Sequence, residues 1–146
     1  MKARKLLERK KAKVVTVHPD ADISGAAELM MRHSVGGLPV VVPDGTVVGV
    51  LAERDVVRAV HERGDRVRRT RVRDVMLPPP ICSGDDEHEA LMGRMTRSRL
   101  RHLVVVDDGQ VTGVISVGDL VKYRLEQLET ETGVLRDYVA AQRARG

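Results

Sequence analysis

The sequence predicts a mixed α/β (α+β) protein built from two copies of one β-α-β-β-α unit. Two observations carry that prediction. Shifting the 146-residue chain by 64 positions lays residues 23–57 on 87–121 without a gap, and 13 of those 35 positions are identical. Self-similarity on this scale marks a duplicated structural unit. Each copy also passes in the same order from helical apolar spacing to two β-branched runs and back to helical spacing.

In copy one, Val14-Val15-Thr16-Val17 reads as the first strand. Residues 24–33 set Ala26, Ala27, Met30 and Met31 at helical spacing behind Ser24, a candidate N-cap. Leu38-Pro39-Val40-Val41-Val42 is a β-branched run halted by the turn signal Pro43-Asp44-Gly45. Residues 46–51 complete a hairpin, and Glu53 opens a helix expected to bury Val56, Val57 and Val60. Copy two repeats the order over residues 80–83, 86–97, 102–106, 110–116 and 117–124. The 25 valines supply strands and core alike, which lets the chain fold without Phe or Trp. Val121, Leu125, Leu128, Thr132, Leu135 and Val139 then form a helical stripe suited to self-association, with Gly133 expected to kink it. The expected organisation is a basic segment (1–13), repeat 1 (14–61), an Arg-rich linker (62–73), repeat 2 (74–124) and a helical tail (125–146).

Composition excludes several functions. With 25 Lys+Arg against 21 Asp+Glu the net charge is +4, and Tyr123 and Tyr138 are the only aromatic residues besides histidine, so base-stacking recognition has almost nothing to work with. Cys82 stands alone, against a disulfide framework or a cysteine-based zinc knuckle. No apolar run reaches membrane-spanning length, and the basic start lacks a signal-peptide h-region, so a cytoplasmic protein is expected. The run Asp85-Asp86-Glu87-His88-Glu89 scatters its side chains around a helix, which suits a solvated first turn and not a metal. The five histidines show no catalytic spacing; no enzyme activity or catalytic residue is expected.

The segments Val48-Gly49-Val50-Leu51-Ala52-Glu53-Arg54-Asp55 and Thr112-Gly113-Val114-Ile115-Ser116-Val117-Gly118-Asp119 resemble the signature of CBS domains, named for cystathionine β-synthase. That signature is a strand ending in Gly-apolar-apolar-Ser/Thr, two residues, then Asp opening the last helix. Val72-Arg73-Asp74-Val75-Met76 is similar to the usual start of a second repeat. The layout, with a basic N-terminal helix and a helical tail, resembles stand-alone bacterial CBS pairs. The resemblance implies two repeats packed with pseudo-twofold symmetry, leaving two clefts lined by both. It implies ligands of the adenosine class (AMP, ADP, ATP, NAD-type dinucleotides or S-adenosylmethionine), a homodimer, and output to an effector protein in trans.

The motif also makes chemical sense. A carboxylate at a helix start can accept two hydrogen bonds from a ribose diol, while the helix N-terminus and nearby Arg suit phosphate. Carried over from the resemblance, one cleft would use Asp119 on ribose, Ser116 beside it, Arg101 on phosphate with His102, and a facing wall of His18, Pro19, Ile23, Gly36 and Gly37. The other would use Asp55 and Arg54, faced by Ile81, Cys82, Ser83 and Arg99. Because Ala52 replaces the Ser/Thr and Glu87 falls opposite Ile23 in the ungapped alignment, the Asp119 cleft is expected to be the stronger. The alternative is nucleic-acid binding through six arginines between Arg63 and Arg73 and the basic N-terminus.

Overall fold

The computed structural model describes residues 1–145. Its helices are α1 (Ala3–Lys10), α2 (Ile23–His33), α3 (Glu53–Arg63), α4 (His88–Ser98) and α5 (Val117–Arg145). Its strands are β1 (Gly37–Val41), β2 (Val47–Ala52), β3 (Ile81–Cys82), β4 (His102–Asp107) and β5 (Gln110–Ser116). The Arg-rich stretch folds as two 3-10 turns, Gly64–Arg69 and Val72–Asp74. The strand expected at Val14–Val17 is reduced to one bridge, Val17 to Val40, whereas β3 pairs parallel with β4.

The two repeats match, with an internal slip. In the antiparallel hairpins Leu38 pairs with Leu51 and Leu103 with Ile115, so β1 and β4 correspond at an offset of 65, and β2 and β5 at 64. Residues 42–46 lie between paired Val41 and Val47, but only 107–110 between Val106 and Val111. Helices α2 and α4 follow the offset of 65 as well, each closed by a residue in the left-handed region, Ser34 and Arg99. The ungapped correspondence over 23–57 is thereby corrected: Ile23 matches His88, not Glu87, and both are buried. The N-cap of α2 is Asp22 in place of Ser24; its side chain accepts from the Gly25 N–H at 2.7 Å.

Each repeat is completed by the stretch that precedes the other. Around copy two, Ala3 N donates to Asp86 O, Arg4 N to Gly84 O, and His88 N to Met1 O. Around copy one, Val72 N donates to Ala21 O, Arg73 N to Pro19 O, and Ile23 N to Thr70 O. Ala3 and Leu6 join the core of copy two, with Leu91, Leu103 and Ile115; Val72 and Val75 join that of copy one, with Leu38, Val40 and Leu51. The motif glycines accommodate these visitors: a Cβ on Gly113 would sit 2.6 Å from the Leu7 side chain, and one on Gly49 2.6 Å from Met76. Charge follows the same symmetry, since Arg4 and Lys2 bond Asp85 while Arg73 and Arg71 bond Asp20.

Other expectations change. Ala59 and Asp55, not Val57 and Val60, form the buried side of α3; Val57 and Val60 are 68% and 52% exposed, and Met31 is 82% exposed. Gly133 does not split α5, which is one continuous helix from Val117 to Arg145. Gly146 of the expected tail lies outside the described residues. Among the described residues no helix is long and apolar enough to cross a membrane.

The shared cores make a stability prediction. Leu6→Ala should cost about 2–5 kcal/mol, as for other buried leucines, read as a shift of the urea midpoint. A change under about 0.5 kcal/mol, the range of surface substitutions, would mean that the N-terminal segment is not part of the core.

Candidate functional site

Among the described residues an open cleft of about 530 Å³ lies between the pseudo-twofold-related repeats. Copy one contributes Gly36, Ala52, Arg54, Asp55 and Arg58; copy two contributes Arg99, Arg101, His102, Ser116 and Gly118; Leu77, Pro78 and Pro80 close it along one side. Two strand-to-helix junctions meet here. The Glu53 N–H bonds Gly36 O at 3.1 Å and the Val117 N–H bonds Arg101 O at 2.9 Å, so each helix start is tied to the loop before the neighbouring strand.

Asp55 is 3% exposed and faces its own helix start, accepting from Ala52 N at 2.8 Å and from Arg58 Nη1 at 3.0 Å. A carboxylate has about four acceptor positions, so capacity remains for a ligand hydroxyl. Arg54, Arg99 and Arg101 have no carboxylate within 4.0 Å among the described residues, which leaves three free guanidinium groups around the cleft against the two acids Glu53 and Asp55, the latter already bonded by Arg58. Such a wall favours an anionic group. His102 is held below the ordinary histidine pKa, first by burial and then by the Lys10 ammonium, and is neutral at pH 7. Its ring lies 3.2 Å from where a Gly37 Cβ would stand, so any larger residue there must displace it.

The Asp119 side is different. Ser116 and Asp119 form a reciprocal cap, Asp119 Oδ2 accepting from Ser116 N at 2.9 Å and Ser116 Oγ from Asp119 N at 3.1 Å. The same Oδ2 accepts from Lys10 Nζ at 2.9 Å. Burial alone would raise the Asp119 carboxyl, but the Ser116 N–H and the Lys10 ammonium outweigh it and hold it below the usual carboxylate range. Hollows of about 160 and 40 Å³, both lined by Lys10, lie on this side. The larger space is thus the one lined by Asp55.

The expected site residues divide accordingly. The structure gathers Gly36, Arg101, His102 and Ser116 with Arg54, Asp55 and Arg99 in the open cleft. Gly37 sits in the smaller hollow beside Lys10. Ile23 is core at 2% exposure, buried Pro19 uses its carbonyl on Arg73 N, and His18 Nδ1 accepts from Asp20 N; none lines the cleft. Ile81 lies on strand β3, Ser83 bonds Asp86 and Asp107, and Cys82 is core at 3% exposure with its thiol pushed up to about 11, chiefly by burial. Glu87 pairs with the Met1 ammonium at 3.1 Å, away from the cleft. Sequence reasoning missed Arg58, Lys10 and the Leu77–Pro80 edge. Arg58 was signalled by its i+3 spacing from Asp55, whereas no repeated pattern signalled Lys10, whose counterpart at the lead-in offset is Pro79.

The family model described as the CBS domain matches residues 7–62 and again 72–126. The chain belongs to the CBS-domain family. A CBS-domain-containing protein of Agrobacterium tumefaciens superimposes with a TM-score of 0.80 at 38% identity, over 85% of this chain and 99% of that one. A CBS domain protein of Pyrobaculum aerophilum, solved in complex with AMP, superimposes with a TM-score of 0.78 at 29% identity, over 90% and 99%. Inosine-5'-monophosphate dehydrogenase of Methanocaldococcus jannaschii is 34% identical over 76% of this chain, which spans 22% of that enzyme's length.

His102 gives a pH prediction. Its folded pKa lies below the unfolded value of about 6.5, so the unfolded chain binds more protons and stability is lost as pH falls through that window. The urea midpoint should drop between pH 7 and 5, and less steeply in His102→Gln. Parallel profiles would contradict the assignment.

Proposed function

We propose that this CBS pair is a regulatory module, not an enzyme, that senses an adenosine nucleotide in the open cleft and passes occupancy to a partner in trans or to a second copy. One observation carries the reading: a cleft of about 530 Å³ with a buried carboxylate on one wall and unpaired guanidinium groups on the other. That volume lies within the range of about 300–1,000 Å³ usual for small-molecule sites. Asp55 would take the ribose diol, and Arg101 and Arg99 the phosphate. The ligand then touches both repeats, so its affinity depends on their relative placement, and that dependence is the signal. AMP in the P. aerophilum relative supports the ligand class. AMP, ADP, ATP and NAD share the adenosine and phosphate this cleft would read. The exposed stripe from Leu125 to Val139 is the proposed face for a homodimer.

A thermal-shift series with AMP tests this. Nucleotide at about 100 times its dissociation constant should add about 2.7 kcal/mol of stability. Arg101→Ala should weaken binding about 10- to 100-fold, the worth of one charge-assisted hydrogen bond of about 1.5–3 kcal/mol, and Asp55→Asn should weaken it also. Full affinity in both variants would remove the site.

A second reading, nucleic-acid contact, is favoured by Arg63, Arg66, Arg68 and Arg69, which rim an open hollow without a carboxylate within 4.0 Å among the described residues. Duplex binding through them should fall with salt at a log–log slope of about −0.9 per phosphate contacted, and vanish when all four become Ser. Anisotropy of a labelled duplex measures both; no binding at low salt would dispose of this reading.

A further inference from the structure

We infer that Lys10 is a latch on the Asp119 cleft, which admits a nucleotide only when the end of α1 withdraws its ammonium. The inference rests on the proposed reading of the clefts as nucleotide sites. It explains why two equivalent clefts present one open space.

The ammonium is fixed at two points, 2.9 Å from Asp119 Oδ2 and 3.1 Å from Val114 O. Lys10 lines both small hollows on this side, about 160 and 40 Å³, and stands between them. Neither hollow reaches the roughly 300 Å³ of a small-molecule site. A cation here also takes the acceptor atoms a ligand hydroxyl would need.

The symmetric position shows that the blockage is not a property of the fold. Ala3 and Val72, like Arg4 and Arg73, make equivalent hydrogen bonds, an offset of 69 between the lead-ins. Counting on at that offset places Pro79 opposite Lys10, within Pro78-Pro79-Pro80. Pro79 has no ammonium to offer a carboxylate, so Asp55 is bonded by Arg58 of its own helix, and Pro78 and Pro80 only edge a cleft that stays open.

The latch is built to move at one end. Ala3 and Leu6 hold the first turns of α1 in the core. Beyond Lys10, Lys11 takes a left-handed φ of 54° and residues 11–14 are exposed. In the last turn Leu7 packs beside Gly113, and Arg9, bonded to Glu126 at 2.6 Å and lying over the Tyr123 ring, joins the latch to α5. Opening the Asp119 cleft would thus disturb the helix whose exposed face is the proposed dimer surface.

Calorimetric titration with AMP decides the matter through stoichiometry. The wild type should bind one AMP per chain, Lys10→Met two, and Lys10→Met with Asp119→Ala one again. Lys10→Gln serves as a second variant should Lys10→Met not show native far-UV circular dichroism. Two sites in the wild type, or one in both Lys10 variants, overturns the latch and leaves the nucleotide reading intact. No binding by the wild type but one site in Lys10→Met, lost with Asp119→Ala, upholds the latch and overturns the reading of the open cleft. No binding by any variant overturns both.

Discussion

Each repeat lacks part of its own core and borrows it from the segment preceding the other. Met1–Arg4 bonds the 84–88 loop of copy two, and Thr70–Arg73 bonds the 19–23 loop of copy one. Buried Ala3, Leu6, Val72 and Val75 supply the apolar contact that makes these docked segments stable. The exchange ties the two units together, and the space between them is a cleft lined by both. It also gives part of the Arg-rich stretch a structural role, because Arg71 and Arg73 meet Asp20, while Arg63, Arg66, Arg68 and Arg69 are left without a carboxylate partner among the described residues.

The same exchange breaks the symmetry it creates. The segments make matching contacts for their first turns and then diverge, one ending in basic Arg9-Lys10-Lys11 and the other in three prolines. That difference decides which cleft is open. An ammonium delivered to Asp119 satisfies the carboxylate internally. Where nothing is delivered, three guanidinium groups remain without acidic partners around the cleft. Electrostatic imbalance of this kind is tolerated in solvent and resolved by an anion, the arrangement expected of a binding module.

Much of this was legible in the sequence. The duplication, the hairpins, the helix-opening aspartates and the core valines were all readable, because periodicity and turn chemistry are local. The one-residue slip was not. Residues 38–42 share three identities with copy two at either offset, 64 or 65, yet a slip by one residue exchanges the buried and exposed faces of a strand. It was this slip that set Glu87 against Ile23 in the ungapped alignment. The docking of residues 1–10 was hidden for another reason: the lead-ins share only a basic-apolar-basic spacing, and their partners lie more than 80 residues away in the first case. Val57, Val60 and Met31 looked like core since periodicity marks a face without saying what covers it.

On this reading the cleft carrying Asp55 is the one that takes ligand in the unmodified chain, and the Asp119 cleft is held shut. A crystal structure of the wild-type protein grown with AMP puts both halves of that statement to the test at once. One nucleotide per chain is expected, its ribose on Asp55 and its phosphate between Arg99 and Arg101, with Lys10 still bonded to Asp119. A nucleotide seated on Asp119 with the Asp55 cleft empty would contradict it.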